Sequence, residues 1–138
     1  MLSPTRADAS AAFLDWLTRM DGEGRLFLPV ITVHEIEKGI ALLEHKGAVA
    51  KAANLKGWLA GLVAAYGAKI VPLNASAAAL AGQLEAKAIS AGHNPGMADA
   101  IVAGIAKAHG LTIITRNTRH FVPFGTDVLS PDEAAQSL

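Results

Sequence analysis

Three acidic or polar side chains lie where a parallel β-sheet would present its ligand-binding edge. Glu35 follows a predicted strand and opens a helix, Asp99 lies in the first turn of a strongly apolar helix, and Asn117 comes directly after a short apolar strand. In open parallel sheets, ligands bind beyond the carboxyl ends of the strands. Hard cations such as Mg²⁺ and Mn²⁺ take carboxylate oxygens, and converging acids hold them. These positions therefore indicate a candidate site for a divalent metal ion.

Both acids also have structural explanations. Thr32 and Glu35 have the spacing of a capping box, in which the Glu side chain reaches back to the helix start and needs no metal. An acid in the first turn, such as Asp99, gains about 0.3 to 1 kcal/mol from the helix dipole. An unpaired buried carboxylate is far more costly, so Asp99 needs a metal ion, a basic partner or exposure at the helix end. The sequence leaves these alternatives open.

Basic side chains surround Asn117 along the chain. Arg116, Arg119 and His120 are suited to contact the phosphate backbone of a nucleic acid. The alternatives are an ordinary polar loop, or a His120 ring that packs beside Phe121. Any contact with RNA would be local, because 12 basic residues balance 12 acidic ones and leave no net positive field.

Several classes of protein are excluded by what the sequence lacks. It has no cysteine, which removes disulfides, thiolate zinc sites and cysteine nucleophiles. It has no Gly-rich nucleotide-binding loop and no Gly-x-Ser-x-Gly elbow, and Lys38 stands where a zinc protease would continue His34-Glu35 with a second His. No apolar run resembles a signal peptide or reaches membrane-spanning length. We therefore expect a soluble cytoplasmic protein without a membrane partner.

Apolar periodicity predicts helices that alternate with short strands. Helices are predicted over about residues 8–20, 36–43 with a cap at Thr32, 48–66, 74–90 and 97–109, and strands over 26–31, 70–73, 111–115 and 128–129. The helices over 36–43 and 48–66 are expected to form a hairpin, and the tail from residue 131 to residue 138 is expected to be loosely held. At 138 residues the chain suits a single domain. The alternation predicts the α/β class, with a parallel sheet covered on both faces.

Three blocks of the sequence resemble the ordered motifs of VapC-type PIN domains. They are residues 28–40 (LPVITVHEIEKGI), 97–103 (MADAIVA) and 112–121 (TIITRNTRHF). The resemblance runs from about residue 2 to residue 129. It implies a three-layer α/β/α sandwich with a central parallel sheet, formed by residues 1–138 as a single PIN-like domain.

The resemblance also implies an activity. By it, the chain is expected to be an Mg²⁺- or Mn²⁺-dependent endoribonuclease, a toxin that forms homodimers and is bound by a VapB-like antitoxin. Carried over by position, Glu35 and Asp99 match acidic metal ligands, and Asn117 matches the polar residue after a strand-end Thr. A bound metal ion would lower the pKa of a water molecule and stabilise charge on the scissile phosphate of RNA.

Two features depart from the family pattern. Relatives usually begin with a central strand that carries an Asp, and Leu2 and Ser3 resemble the residues just after that strand. We therefore expect either a misplaced start site or a less active and less stable chain. His120 stands where many relatives carry an acid, and His is a poor ligand for Mg²⁺.

Two other hypotheses compete with the nuclease. The first is a catalytically impaired PIN-like module that binds an antitoxin or a second copy of itself without cutting RNA. The second is a small α/β ligand-binding or response-regulator-like domain, but the acidic cluster that such a domain carries after its first strand does not occur here. An effect of metal ions on RNA cleavage would separate the nuclease from both.

Overall fold

The computed structural model describes residues 10–136 and is rich in helix. Its six α-helices are α1 Ala11–Gly22, α2 Val30–His45, α3 Val49–Tyr66, α4 Ala75–Ser90, α5 Met97–Ala108 and α6 Pro131–Gln136. Its four strands are β1 Leu28–Pro29, β2 Ile70–Val71, β3 Ile113–Ile114 and β4 Val128–Leu129. None of the helices between residues 10 and 136 combines the length and apolar character needed to cross a bilayer. The expectation of a missing first strand concerns residues that lie outside this described range.

The described residues form two compact units. The hairpin unit is Phe27–Pro72, and the main unit comprises residues 10–26 and 73–136. Each unit holds one parallel pair of strands, β1 with β2 in the hairpin unit and β3 with β4 in the main unit. Parallel strands joined through helices agree with the predicted α/β class, although each strand is only two residues long.

Helices α2 and α3 form the predicted hairpin. Only three residues separate them, and Ile40, Ala52 and Leu59 are buried between the two helices. Lys56 on α3 bridges to Glu44 on α2, with 2.8 Å between Nζ and Oε2. This exposed ion pair raises the pKa of Lys56 through its hydrogen bond to Glu44. The predicted hairpin is therefore stabilised by an apolar interface shared by the two helices.

The start of α2 differs from the prediction. The helix begins at Val30, directly after Pro29, which is extended (φ −69°, ψ 139°) and provides no side-chain cap. Proline cannot donate to a strand ladder and its φ suits entry into a helix, so strand β1 ends there. Thr32 and Glu35 consequently lie inside α2, and the predicted capping box at these residues is wrong.

Helices α4 and α5 pack closely in the main unit. Their interface is built mainly of small residues, and Ala77, Ala88, Ala100 and Ala103 are fully buried. A Cβ added to Gly104 would lie 2.7 Å from the carbonyl oxygen of Ala77, so only glycine allows this approach. This close contact fixes the position of α5 along α4, and with it the position of the first turn of α5, which carries Asp99.

Residues 131–136 of the predicted loosely held tail form a packed helix, and the last two residues of that tail lie outside the described residues. The Ser130 amide donates to the Glu133 carboxylate at 2.9 Å, and the Glu133 amide donates to Ser130 Oγ at 3.1 Å. This reciprocal pair is a capping box for α6, whose Ala134 is fully buried against α1. On α1, Trp16 stacks on Phe13 with 5.8 Å between ring centroids. The expectation missed the segment because six polar and small residues carry little apolar signal.

Candidate active site

Asp99 lies in the first turn of α5, as predicted. The helix begins at Met97 after Gly96, whose extended backbone provides the N-cap without a side-chain hydrogen bond. The Asp99 side chain is 35% exposed, so water offsets much of the cost of its charge. Asp99 also has a neighbour that is basic when protonated, so two of the alternatives that the sequence left open, partial exposure and a basic partner, occur together.

That neighbour is His120. Its Nδ1 lies 3.6 Å from Asp99 Oδ2, and its own side chain is 53% exposed. The distance is longer than a good hydrogen bond, and the pair is ionic only when the imidazole is protonated. The contact stabilises the fold little at this exposure, on the order of 1 kcal/mol or less. Its main effect is to place an imidazole nitrogen beside a carboxylate that stays open to solvent.

A compact turn after β3 positions His120. The Asn117 amide donates to Thr115 Oγ1 at 3.1 Å, and the His120 amide donates to the Asn117 carbonyl at 3.0 Å. The next residue, Phe121, is buried in the core formed by α4 and α5. The backbone of Asn117 thus shapes the turn, while its side chain is exposed. The alternative in which the His120 ring packs beside Phe121 is not supported, because the His120 side chain is 53% exposed whereas Phe121 is buried.

One cleft of about 290 Å³ brings three of the predicted site residues together. It is lined by His93, Asn94, Pro95, Gly96, Asp99, Arg119, His120 and Pro123. Asp99, Arg119 and His120 were predicted as site residues and they meet here. His93 and Asn94 were missed, and the signal that would have indicated them is their position in the loop directly before the helix that carries Asp99.

Two other predicted site residues lie elsewhere. Arg116 lines a second cleft of about 220 Å³ with Ser10, Ser130, Pro131 and Asp132, so it does not share the cleft of Asp99. Glu35 is exposed on α2 in the hairpin unit. The convergence of Glu35 with Asp99 on a metal ion stays a prediction.

The residues of the cleft fit part of a metal-binding set. Within residues 10–136, no three His, Asp or Glu side chains converge closely enough to hold a metal ion. Asp99 offers a carboxylate, which suits Mg²⁺ and Mn²⁺, and His120 offers a nitrogen, which suits Mn²⁺ better than Mg²⁺. A metal ion held here would need further ligands.

Comparison with known proteins identifies relatives across most of the chain. The sequence profile of the PIN domain matches residues 4–122. Plasmid stability protein StbB of Pseudomonas syringae pv. tomato is 33% identical over 95% of this chain and 92% of its own length. VapC ribonuclease Y4jK of Sinorhizobium fredii is 30% identical over 94% of this chain and 91% of its own length.

Solved structures share the fold. The crystal structure of FitAcB from Neisseria gonorrhoeae aligns with a TM-score of 0.76 at 28% identity, over 93% of this chain and 90% of that one. The structure of FitAB bound to an IR36 DNA fragment aligns with a TM-score of 0.71 at 26% identity, over 93% of this chain and 87% of that one. Toxin FitB of Neisseria gonorrhoeae is 28% identical over 93% of this chain and 90% of its own length.

Proposed function

The chain belongs to the PIN-domain family, and we propose that it is the ribonuclease toxin of a toxin–antitoxin pair. The family and the α/β fold class that the three sequence blocks predicted are confirmed. The relatives named as a ribonuclease and as a toxin align with more than nine-tenths of this chain, 94% and 93%. Their activity is therefore the first candidate for this protein. We further propose that both units belong to one PIN domain and that it acts in the cytoplasm.

The observation that carries this proposal is the cleft at the N-terminus of α5. A partly exposed carboxylate, Asp99, shares it with Arg119 and His120, which supply hydrogen-bond donors for phosphate. An acid flanked by groups that can bind phosphate is an arrangement that phosphodiester hydrolysis can use. A purely structural Asp99 would not need an open cleft.

We propose Asp99 and Glu35 as ligands of a divalent metal ion, Mg²⁺ or Mn²⁺. Such an ion would lower the pKa of a bound water and offset the charge that develops on the scissile phosphate. His120 lies beside Asp99 Oδ2 and orients that carboxylate when it is protonated. Asn117 is proposed as the polar residue of the same site. This assignment rests on the match of these residues to the family pattern and on the position of Asp99.

Arg119 and His120 are the proposed RNA contacts in the cleft. Arg119 has a planar guanidinium that can donate two hydrogen bonds to one phosphate group. Arg116 lies in the second cleft, so we propose that it contacts a more distant part of the RNA backbone. These contacts would position RNA without reading its sequence, because phosphate contacts carry no base information.

We also propose a protein partner, a VapB-like antitoxin, and a homodimer. Support comes from two relatives, the structure of FitAB bound to an IR36 DNA fragment and the protein named Toxin FitB. An antitoxin that covers the cleft or its approach would keep the nuclease inactive. The partner itself is testable by co-purification with the product of the adjacent gene.

The decisive experiment compares RNA cleavage by the purified chain and by Asp99→Asn. Each is incubated with a structured RNA in Mn²⁺, in Mg²⁺ and in EDTA, and products are resolved on a gel. We expect metal-dependent cleavage that falls about 100-fold or more in the variant, since loss of even an outer-shell partner costs 10- to 100-fold. Asn keeps the size of Asp, so thermal unfolding should be nearly unchanged.

The matched control is Asp15→Asn. Asp15 is exposed on α1 and lines neither cleft, so this variant should cut like the wild type. No cleavage by the folded wild-type chain in either metal would contradict the ribonuclease and favour the interaction module. Equal cleavage by wild type and Asp99→Asn would instead show that the active site does not lie at the start of α5.

A further inference from the structure

We propose that His93 is an RNA-binding residue. It would contact the phosphate backbone from a different segment of the chain than the one that carries Arg119 and His120. This inference rests on the proposed function. It assigns substrate contact to the loop between α4 and α5, which no sequence motif indicated. The cleft would then hold the RNA strand between two segments, His93–Gly96 and the turn from Arg119 to Pro123.

The first support is the lining of the cleft. Arg119 and Asp99 cancel in formal charge, so the cleft has no excess cation to attract a polyanion. Apart from Arg119, the side-chain donors for a phosphate oxygen are the rings of His93 and His120 and the amide of Asn94. One segment alone would contact RNA from one side only.

The second support is that the His93 ring makes no stabilising interaction with the described residues. Among the described residues it makes no hydrogen bond or ion pair, and it is exposed. It is also not part of a metal cluster, because no group of three possible ligands occurs between residues 10 and 136. A donor that lines a cleft without a partner in the protein is available for a ligand.

The third support is that the backbone of His93 is held rigidly. Its amide donates to the Ala88 carbonyl at 3.0 Å, and the Gly92 amide donates to Ile89 at 3.0 Å. With Gly92 at φ +91°, these bonds form a Schellman motif that ends α4. Pro95 restricts the loop further. Because the backbone that carries the ring is already ordered, binding would order only the side-chain torsions of His93, which limits the loss of entropy.

The same geometry allows the His93 ring to be tested separately from the backbone of its loop. The Schellman motif uses the backbone of His93 and not its ring, so His93→Ala removes the ring and keeps the loop. RNA cleavage is measured under multiple-turnover conditions for wild type, His93→Ala and His93→Gln. We expect His93→Ala to raise KM about tenfold with kcat within twofold, as for loss of one hydrogen bond to a charged group. Gln retains a donor and should restore part of the loss.

Lys87→Ala is the control for general charge. Lys87 is an exposed cation in the last turn of α4 and does not line the cleft, so its loss should leave KM nearly unchanged. If the wild type cuts RNA and His93→Ala has an unchanged KM, the role of His93 is overturned and the ribonuclease stands. An equal rise of KM in Lys87→Ala would also overturn it, since the effect would then be unspecific. If the folded wild type neither binds nor cuts RNA, both proposals fail.

Discussion

The α2–α3 pair and the α4–α5 pair are built from side chains of very different size. Between α2 and α3 the buried residues include Ile40 and Leu59, and an exposed ion pair, Lys56 with Glu44, bridges the helices. Between α4 and α5 the buried residues are mainly alanines, with Leu84 beside them, and at Gly104 the backbones of the two helices approach closely. The first pair is stabilised by apolar volume and the second by close approach. Removal of atoms should therefore harm the first pair, and addition of atoms should harm the second.

The largest effect is expected from Ile40→Ala in the hairpin unit. Ile40 is 1% exposed, and truncation of a buried Ile leaves a cavity that costs about 2 to 5 kcal/mol. Urea unfolding followed by circular dichroism gives the change in the free energy of unfolding. Leu42→Ala is the control, because Leu42 is 54% exposed on the same helix. Similar losses in the two variants would show that α2 and α3 do not depend on their buried interface.

The next effect is expected from Gly104→Ala in the main unit. The added methyl group would meet the backbone of Ala77 and Ala81 at 2.7 Å, and overpacking of this kind costs about 1 to 3 kcal/mol. The same substitution at Gly57 on α3 meets nothing within 4 Å and should raise stability by about 0.5 to 1 kcal/mol, because Ala favours helix. The two stability changes should therefore have opposite signs, which would separate the close approach of α4 and α5 from the looser surroundings of Gly57 on α3. A stabilised Gly104→Ala would contradict the close approach of α4 and α5.

The smallest effect is expected at the helix starts. Ser130→Ala removes the cap of α6 and should cost about 0.5 to 2 kcal/mol, whereas Thr32→Ala removes no cap from α2 and should change stability less, by about 0.5 kcal/mol or below. Chemical denaturation of both variants tests this directly. A larger loss for Thr32→Ala would restore the capping box that the sequence predicted at Glu35.

Acid pH provides an independent check on the cap. Hydrogen bonds from the Ser130 backbone amide and hydroxyl lower the pKa of Glu133 below its ordinary value of 4.5. Because the folded pKa is the lower one, the stabilising contribution is present above pH 4.5 and is lost as the pH falls through the folded value. The difference in stability between wild type and Glu133→Ala should therefore shrink below pH 4.5. A difference that is constant with pH would exclude the carboxylate as the capping group.

The sequence predicted helices best where their ends carry a local signal. Helix α4 begins after Asn74, whose side chain caps it, and ends before Gly92; both residues are read directly from the chain. The start of α2 was misplaced because Thr32 and Glu35 imitate a cap, while Pro29 ends the strand two residues earlier than the pattern indicated. The first three strands are shorter than predicted, because an apolar run shows burial and does not show ladder pairing, whereas β4 has the predicted bounds.

The candidate site was predictable in its parts and less so in its assembly. Asp99 was identified because a single acid begins an apolar helix, and the family resemblance gave it a role. Its contact with His120 depends on a turn more than ten residues after α5 ends and on the burial of Phe121, which no local pattern encodes. The sequence gives no motif for His93, since its place in the cleft follows only from the way α4 ends.

The positions of the two tryptophans have a practical consequence for spectroscopy. Trp16 is 8% exposed and stacked on Phe13 in the main unit, and Trp58 is half-buried on α3 in the hairpin unit. The sequence contains no other tryptophan, so each unit carries its own fluorophore in a different environment. Emission from single-tryptophan versions of the chain would follow each unit separately during denaturation, without an attached dye.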